Sequence, residues 1–104
     1  MAVSVPKYVY SADGTKIYAD ATGDPRNPHV VLIHGMGVAS IAWDKQIEDP
    51  RLNENLYLVR YDTRGQGRSG APLEASAYES VRQAEDFKAV CDGFNLVRPH
   101  IMAW

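Results

Sequence analysis

The sequence predicts an α/β fold: about five strands in one sheet, the first two an antiparallel hairpin and the rest parallel, with helices on both faces. Three observations carry this. Val30-Val31-Leu32-Ile33 is an unbroken run of branched apolar residues, too short for a buried helix and suited to a strand covered on both faces. Two polar-apolar alternating segments flank Asp13-Gly14, a hairpin signal. A long stretch from Tyr78 to Phe94 repeats its apolar residues every three or four positions, as an amphipathic helix does.

In chain order, Lys7 to Ala12 and Lys16 to Ala21 are the hairpin strands at one edge of the sheet, joined by a two-residue turn at Asp13-Gly14. Gly23 to Pro28, with two prolines, is a loop. The buried strand follows and stops at His34-Gly35-Met36-Gly37, where two glycines permit positive φ. Ligands of open α/β sheets bind outside the carboxyl ends of parallel strands, so this edge is where a site belongs. Ser40 or a neighbour caps a short helix through about Glu48, with Ile41, Trp43 or Ile47 turned inward, and Pro50 ends it.

Leu56 to Tyr61 is the fourth strand, and a glycine loop runs from it to Pro72. Ser76-Ala77-Tyr78-Glu79 has the form of a capping box. The helix it opens carries Tyr78, Val81, Ala84, Phe87, Val90 with Cys91, and Phe94 on its apolar stripe, and Arg82, Glu85, Asp86 and Lys88 on its solvated face. Asn95 suits a left-handed helix end. Pro99 to Trp104 begins a fifth strand.

A chain of 104 residues forms one domain, 1–104, burying somewhat over ~60% of its unfolded surface. Hydrophobic content of 45%, charged content of 23% and a net charge of −2 argue against a nucleic-acid partner or an anionic membrane surface. Met1 to Lys7 lacks the apolar stretch of a signal peptide, and no run reaches the ~20 apolar residues of a membrane helix. A cytoplasmic location is therefore expected. Cys91 is the only cysteine, so no disulfide framework and no cysteine-based metal site is expected.

The apolar strand ending in His34-Gly35, Trp43 a few residues on, and a second strand running into Asp62-Thr63-Arg64-Gly65-Gln66-Gly67-Arg68-Ser69 occur in that order. With these residues the chain resembles the α/β-hydrolase family, of AB hydrolase-1 type, whose Asp-x-Arg-Gly-x-Gly-x-Ser pattern is matched at every fixed position. The resemblance covers nearly the whole chain but only the first part of the family's domain, and so implies an incomplete, C-terminally truncated fragment. It implies the strand order 1-2-4-3-5, for which right-handed crossovers put the helices on opposite faces.

In the family the fifth strand leads into a nucleophile elbow, and the acid and catalytic histidine follow later. The resemblance places Trp104 just before that nucleophile and Ala103 where the family often has glycine. No catalytic set is complete: the nucleophile is expected immediately after Trp104, as Ser for ester or lactone chemistry or Asp for epoxide or haloalkane hydrolysis. What the resemblance leaves is half an oxyanion hole, the backbone N–H of Met36. His34, Gly35, Gly37, Asp62, Arg64, Gly65, Gly67 and Ser69 are then motif residues with structural roles, and Met36 and Trp43 are candidate pocket residues. As a base, His34 would need an activated nucleophile within reach, and no serine here sits on an elbow. His29 and His100 read as plain surface residues.

Gly65-Gln66-Gly67-Arg68-Ser69-Gly70 formally matches a dinucleotide fingerprint, but Pro72 and Glu74 intervene before any helix, so a tight turn braced by an Asp62–Arg64 pair is expected instead. Arg60, Arg64 and Arg68 read as partners in loop-bracing ion pairs rather than as an anion site. Cys91 reads as a core thiol.

Two functions follow. The first is the N-terminal part of a hydrolase acting on ester-, lactone- or epoxide-like small molecules, inactive as this chain alone, with no metal or organic cofactor. The second is a non-catalytic binding or regulatory module derived from a hydrolase. In either case the open edge of the fifth strand is a template for self-association.

Overall fold

A computed structural model describes residues 4–104. Met1–Val3, part of the N-terminal stretch considered above, lie outside the described residues. The elements are β1 (Val5–Tyr10), β2 (Lys16–Thr22), β3 (His29–Ile33), a 3-10 turn (Ser40–Trp43) running into α1 (Asp44–Glu48), α2 (Pro50–Asn55), β4 (Tyr57–Tyr61), a second 3-10 turn (Ala75–Tyr78), α3 (Ser80–Gly93) and β5 (His100–Ala103). They form one five-stranded sheet in the order β1-β2-β4-β3-β5, as the sequence led us to expect. β1 and β2 are antiparallel, β2 and β4 also antiparallel, and β3 pairs in parallel with β4 and β5.

Strand side chains alternate between faces, and the two faces hold separate cores. Val31 and Val59 point to the α3 side, where they meet Ile17, Ala19, Ala21, Tyr61 and Val90. Val30, Leu32 and Leu58 point the other way and meet Trp43 and Ile47. The helices therefore cover opposite faces. β5 is the exception: all four of its residues are exposed, and Ile101 and Met102 each keep more than half of their surface open, at 56% and 54%.

Local details depart from the expectations. The hairpin is joined by five residues, because Tyr10 pairs with Lys16 and the Gly14 N–H closes a turn onto Ser11 O at 2.9 Å. β1 accordingly starts and ends two residues early. Ile41 is exposed, so only Trp43 and Ile47 turn inward, and no side chain caps this segment. α1 ends at Glu48 with Asp49 extended before Pro50, as expected, but Pro50 also opens a second helix: at the first helical position it gives up no intrahelical bond, and the Asp49 carboxylate caps α2 through Arg51 N.

The capping box does not form. Ser76 lies in the 3-10 turn, and Glu79 precedes α3 without a side-chain cap bond. α3 ends as expected at Asn95, whose φ is 55°, with Leu96 N–H bonded to Cys91 O and Asn95 N–H to Asp92 O, the paired bonds of a Schellman motif. Its buried stripe is shifted: Val81 and Ala84 are exposed, while Asp86, assigned to the solvated face, is fully buried. His29, read as a plain surface residue, is half-buried and accepts Val97 N–H at Nδ1, leaving Nε2 to donate to Pro25 O.

Candidate functional site

β3 and β4 run in parallel and deliver two loops to the same edge of the sheet: residues 34–39 after β3 and 62–74 after β4. His34 is buried at the start of the first loop. Its Nε2 accepts Thr63 N–H at 2.9 Å, so Nδ1 carries the proton and donates to Gly35 O at 2.8 Å. With both nitrogens engaged, the ring holds loop to loop. Gly35 faces the Trp104 indole so closely that an added Cβ would lie 2.8 Å from it.

Met36 is 97% exposed, and its N–H has no hydrogen-bond partner among the described residues. The Gly35 carbonyl and the Met36 N–H share one planar peptide unit and point in opposite directions. By gripping the carbonyl, His34 therefore also aims the N–H. The next amide, Gly37 N–H, donates to Gln66 Oε1 at 2.7 Å.

The residues of the second loop are spent on holding it. Asp62 is buried and accepts Ser40 N–H at 2.7 Å and Arg68 N–H at 2.9 Å, tying both loops to one carboxylate. Gly67, at φ +56°, passes this carboxylate where a Cβ would come within 2.4 Å of it, which leaves no room for any other residue. Ser69 Oγ donates to Asp62 O and accepts Tyr18 N–H at 2.9 Å, tying the loop's far end to β2. Gly65 N–H donates to Gly70 O at 2.8 Å beneath the Tyr78 ring.

Arg64 does not pair with Asp62. Its fully buried guanidinium donates to Asp86 at 2.8 and 2.6 Å, to Asp13 at 2.9 and 3.2 Å, and to Ala77 O at 2.6 Å. These bonds to Asp86, more than to Asp13, push the guanidinium further toward its charged form, and in return hold the Asp13 carboxyl well below the usual carboxylate range. Arg60 likewise binds Asp20 and Asp44. Among the described residues Arg68 makes no ion pair of this kind, and it stacks its guanidinium over the Tyr18 ring at 4.5 Å. Sequence spacing gave no access to Asp13 or Asp86 as partners, because the loop brings them in from 51 and 22 positions away.

Trp43 is packed in the core beside Ile47, and its edge lines a cleft of about 290 Å³ with Ala42, Gln46 and Trp104. A larger cleft of about 510 Å³ lies at the opposite end of the sheet, between Lys7, His29, Tyr57 and Phe94, and includes no motif residue. The glycines after β4 do not open a helix, since α3 begins only at Ser80, and Asp86 is occupied by Arg64. No group of three or more His, Cys, Asp or Glu side chains among the described residues is placed to hold a metal ion. Cys91 is half-buried on α3, and burial pushes its thiol up, toward the unreactive protonated form.

Comparison with known proteins places this loop pair in context. The chain is 40% identical over 98 residues to EphD of Mycobacterium tuberculosis, a protein with an oxidoreductase name, which covers 93% of this chain and 16% of EphD. It is 33% identical over 79 residues to RutD of Agrobacterium fabrum, named as a carbamate hydrolase, covering 76% of this chain and 29% of that protein. A crystal structure of a protein assigned as an aryl esterase, from Burkholderia cenocepacia, superposes with a TM-score of 0.90 at 35% identity, over 96% of this chain and 37% of the other. The chain thus spans between about a sixth and two fifths of the length of these relatives. The family model described as alpha/beta hydrolase fold matches residues 28–104, from the start of β3 through both loops and β5. A sheet order, a loop pair and a sequence match that agree over this span make the chain a member of the α/β-hydrolase fold family.

Proposed function

We propose that this chain is the N-terminal part of a hydrolase domain acting on ester-, lactone- or epoxide-like small molecules, and that the 104 residues alone do not turn substrate over. The observation that carries this reading is the unpartnered Met36 N–H at the carboxyl end of β3, aimed by the His34 grip on Gly35 O. With an ester-like substrate, a nucleophile following Trp104 attacks the carbonyl carbon; the carbonyl oxygen takes on negative charge, and the Met36 N–H is one of the donors that receive it. The tetrahedral species then collapses with loss of the alcohol, and water releases the acid from the acyl-enzyme. Removing one such donor in other enzymes costs about 2.7 to 4 kcal/mol of transition-state stabilisation. Two of the relatives, the aryl esterase and the carbamate hydrolase, are named for substrates with a carbonyl carbon bearing a leaving group, whereas EphD carries an oxidoreductase name.

His34 is the lone histidine at this edge, and both of its nitrogens are committed to Thr63 and Gly35, so it is not free to act as base. The base, like the nucleophile and the acid, comes from sequence beyond Trp104. Reading the source transcript across the Trp104 codon tests this directly. The expected result is a continuing frame whose next codon is Ser or Asp. A stop codon there would overturn the reading, as would p-nitrophenyl acetate turnover by the purified chain that survives repeated chromatography.

A further inference from the structure

The two loops at the site are joined by a run of hydrogen bonds that passes through Gln66. Its Oε1 accepts Gly37 N–H at 2.7 Å, and its Nε2 donates to Thr63 Oγ1 at 3.0 Å. Thr63 N–H in turn donates to His34 Nε2, and His34 Nδ1 donates to Gly35 O. Peptide units are rigid plates, so the chain around Met36 is two plates hinged at its Cα. One plate carries Gly35 O and Met36 N–H; His34 holds it by the oxygen. The other carries Met36 O and Gly37 N–H; Gln66 holds it by the nitrogen. Both backbone torsions of Met36 are thereby set by side chains, while its own side chain, 97% exposed, contributes nothing to its placement.

We propose that Gln66 is a positioning residue for the Met36 amide. It fixes the second plate by holding Gly37 N–H, while Met36 N–H itself has no partner among the described residues. This rests on the reading of Met36 N–H as an oxyanion donor. Gln66 stands at a variable position of the loop pattern, so the pattern itself assigns it no role. A glutamine suits the task because one amide supplies both the acceptor for Gly37 and the donor for Thr63.

Amide shifts and hydrogen exchange on the ¹⁵N-labelled 104-residue chain test this, with Gln66→Met removing both bonds and Gln66→Glu keeping the acceptor. In Gln66→Met the Gly37 amide is expected to exchange about fivefold faster, the effect of losing one net hydrogen bond. The Met36 amide resonance is expected to move, the sheet amides of Val31 and Val59 to stay protected, and Gln66→Glu to restore both loop amides. A wild-type Gly37 amide that exchanges at the rate of an unfolded chain would overturn the assignment. So would a Met36 resonance indifferent to Gln66→Met, failure of Gln66→Glu to restore it, or loss of protection throughout the sheet. A stop codon after Trp104 would remove the hydrolase reading and leave these amide results standing, so the two failures are separable.

Discussion

The Arg64 guanidinium and the Asp86 carboxylate meet through two hydrogen bonds, at 2.8 and 2.6 Å, with neither side chain exposed to solvent. Arg64 comes from the loop after β4 and Asp86 from the middle of α3, so this pair docks the helix on the sheet as well as bracing the loop. Asp86→Ala leaves the buried Arg64 guanidinium only the partly exposed Asp13 and Ala77 O as partners, and is expected to cost about 3 kcal/mol. Urea titration measures it. The double change Arg64→Met with Asp86→Leu is expected to recover most of that loss, since it removes both desolvated charges together.

Asp13 contributes to stability with a definite pH sign. Its carboxyl is held well below the usual 3.8 by Arg64, so its contribution is full above the unfolded value and fades as pH falls below it. Asp13→Asn is expected to be less stable than wild type at pH 7 and to lose less on acidification between about pH 5 and pH 2. Thermal melts across that window check it; parallel curves for the two proteins would count against the Arg64 contact.

Gly67→Ala is expected to destabilise by at least ~2 kcal/mol, combining left-handed backbone strain with displacement of Asp62 from two amides. Gly14 is the control. Its φ is +86° but nothing lies within 4 Å of an added Cβ, so Gly14→Ala incurs the backbone strain alone. Equal losses in the two variants would show that Asp62 yields without consequence.

β5 pairs with β3 on one side only, and Ile101, Met102 and Trp104 are exposed along it. The isolated chain is expected to self-associate through this edge, and Ile101→Lys to shift it toward monomer, since charge on an edge strand opposes pairing. Sedimentation velocity reads both. A wild-type monomer at high micromolar concentration would exclude this mode of association.

The strands were legible because they rest on local signals such as the four branched apolar residues at Val30–Ile33, whereas their order came from the resemblance carried by His34-Gly35 and the motif at Asp62–Ser69. Asp86 was not legible. Periodicity sorts residues by polarity, and only the loop's folding brings Arg64 to it and makes burial favourable. Pro50 was read as the end of α1, which it is; the second helix it opens was missed, since that depends on the residue before it acting as a cap, and Asp49 does. Of the site, the edge where β3 ends could be read from the sequence, and the family resemblance singled out Met36 there. The control exerted on it by His34 and Gln66 could not, because it depends on which atom of a ring or amide faces which peptide plane.

The sheet order has a consequence for the birth of the molecule. β4 lies between β2 and β3, yet it is made after both. Strands are spaced by about 4.8 Å, so β2 and β3 stand two spacings apart and are joined only through β4, residues 57–61. Until β4 is synthesised, the strands already made can form no more than a hairpin with both edges open and a lone apolar strand, which exposes them to wrong pairing. The late arrival of Tyr57–Tyr61 is therefore the step at which synthesis rate and correct folding are coupled, and slowing translation just upstream of it would lengthen the period of risk.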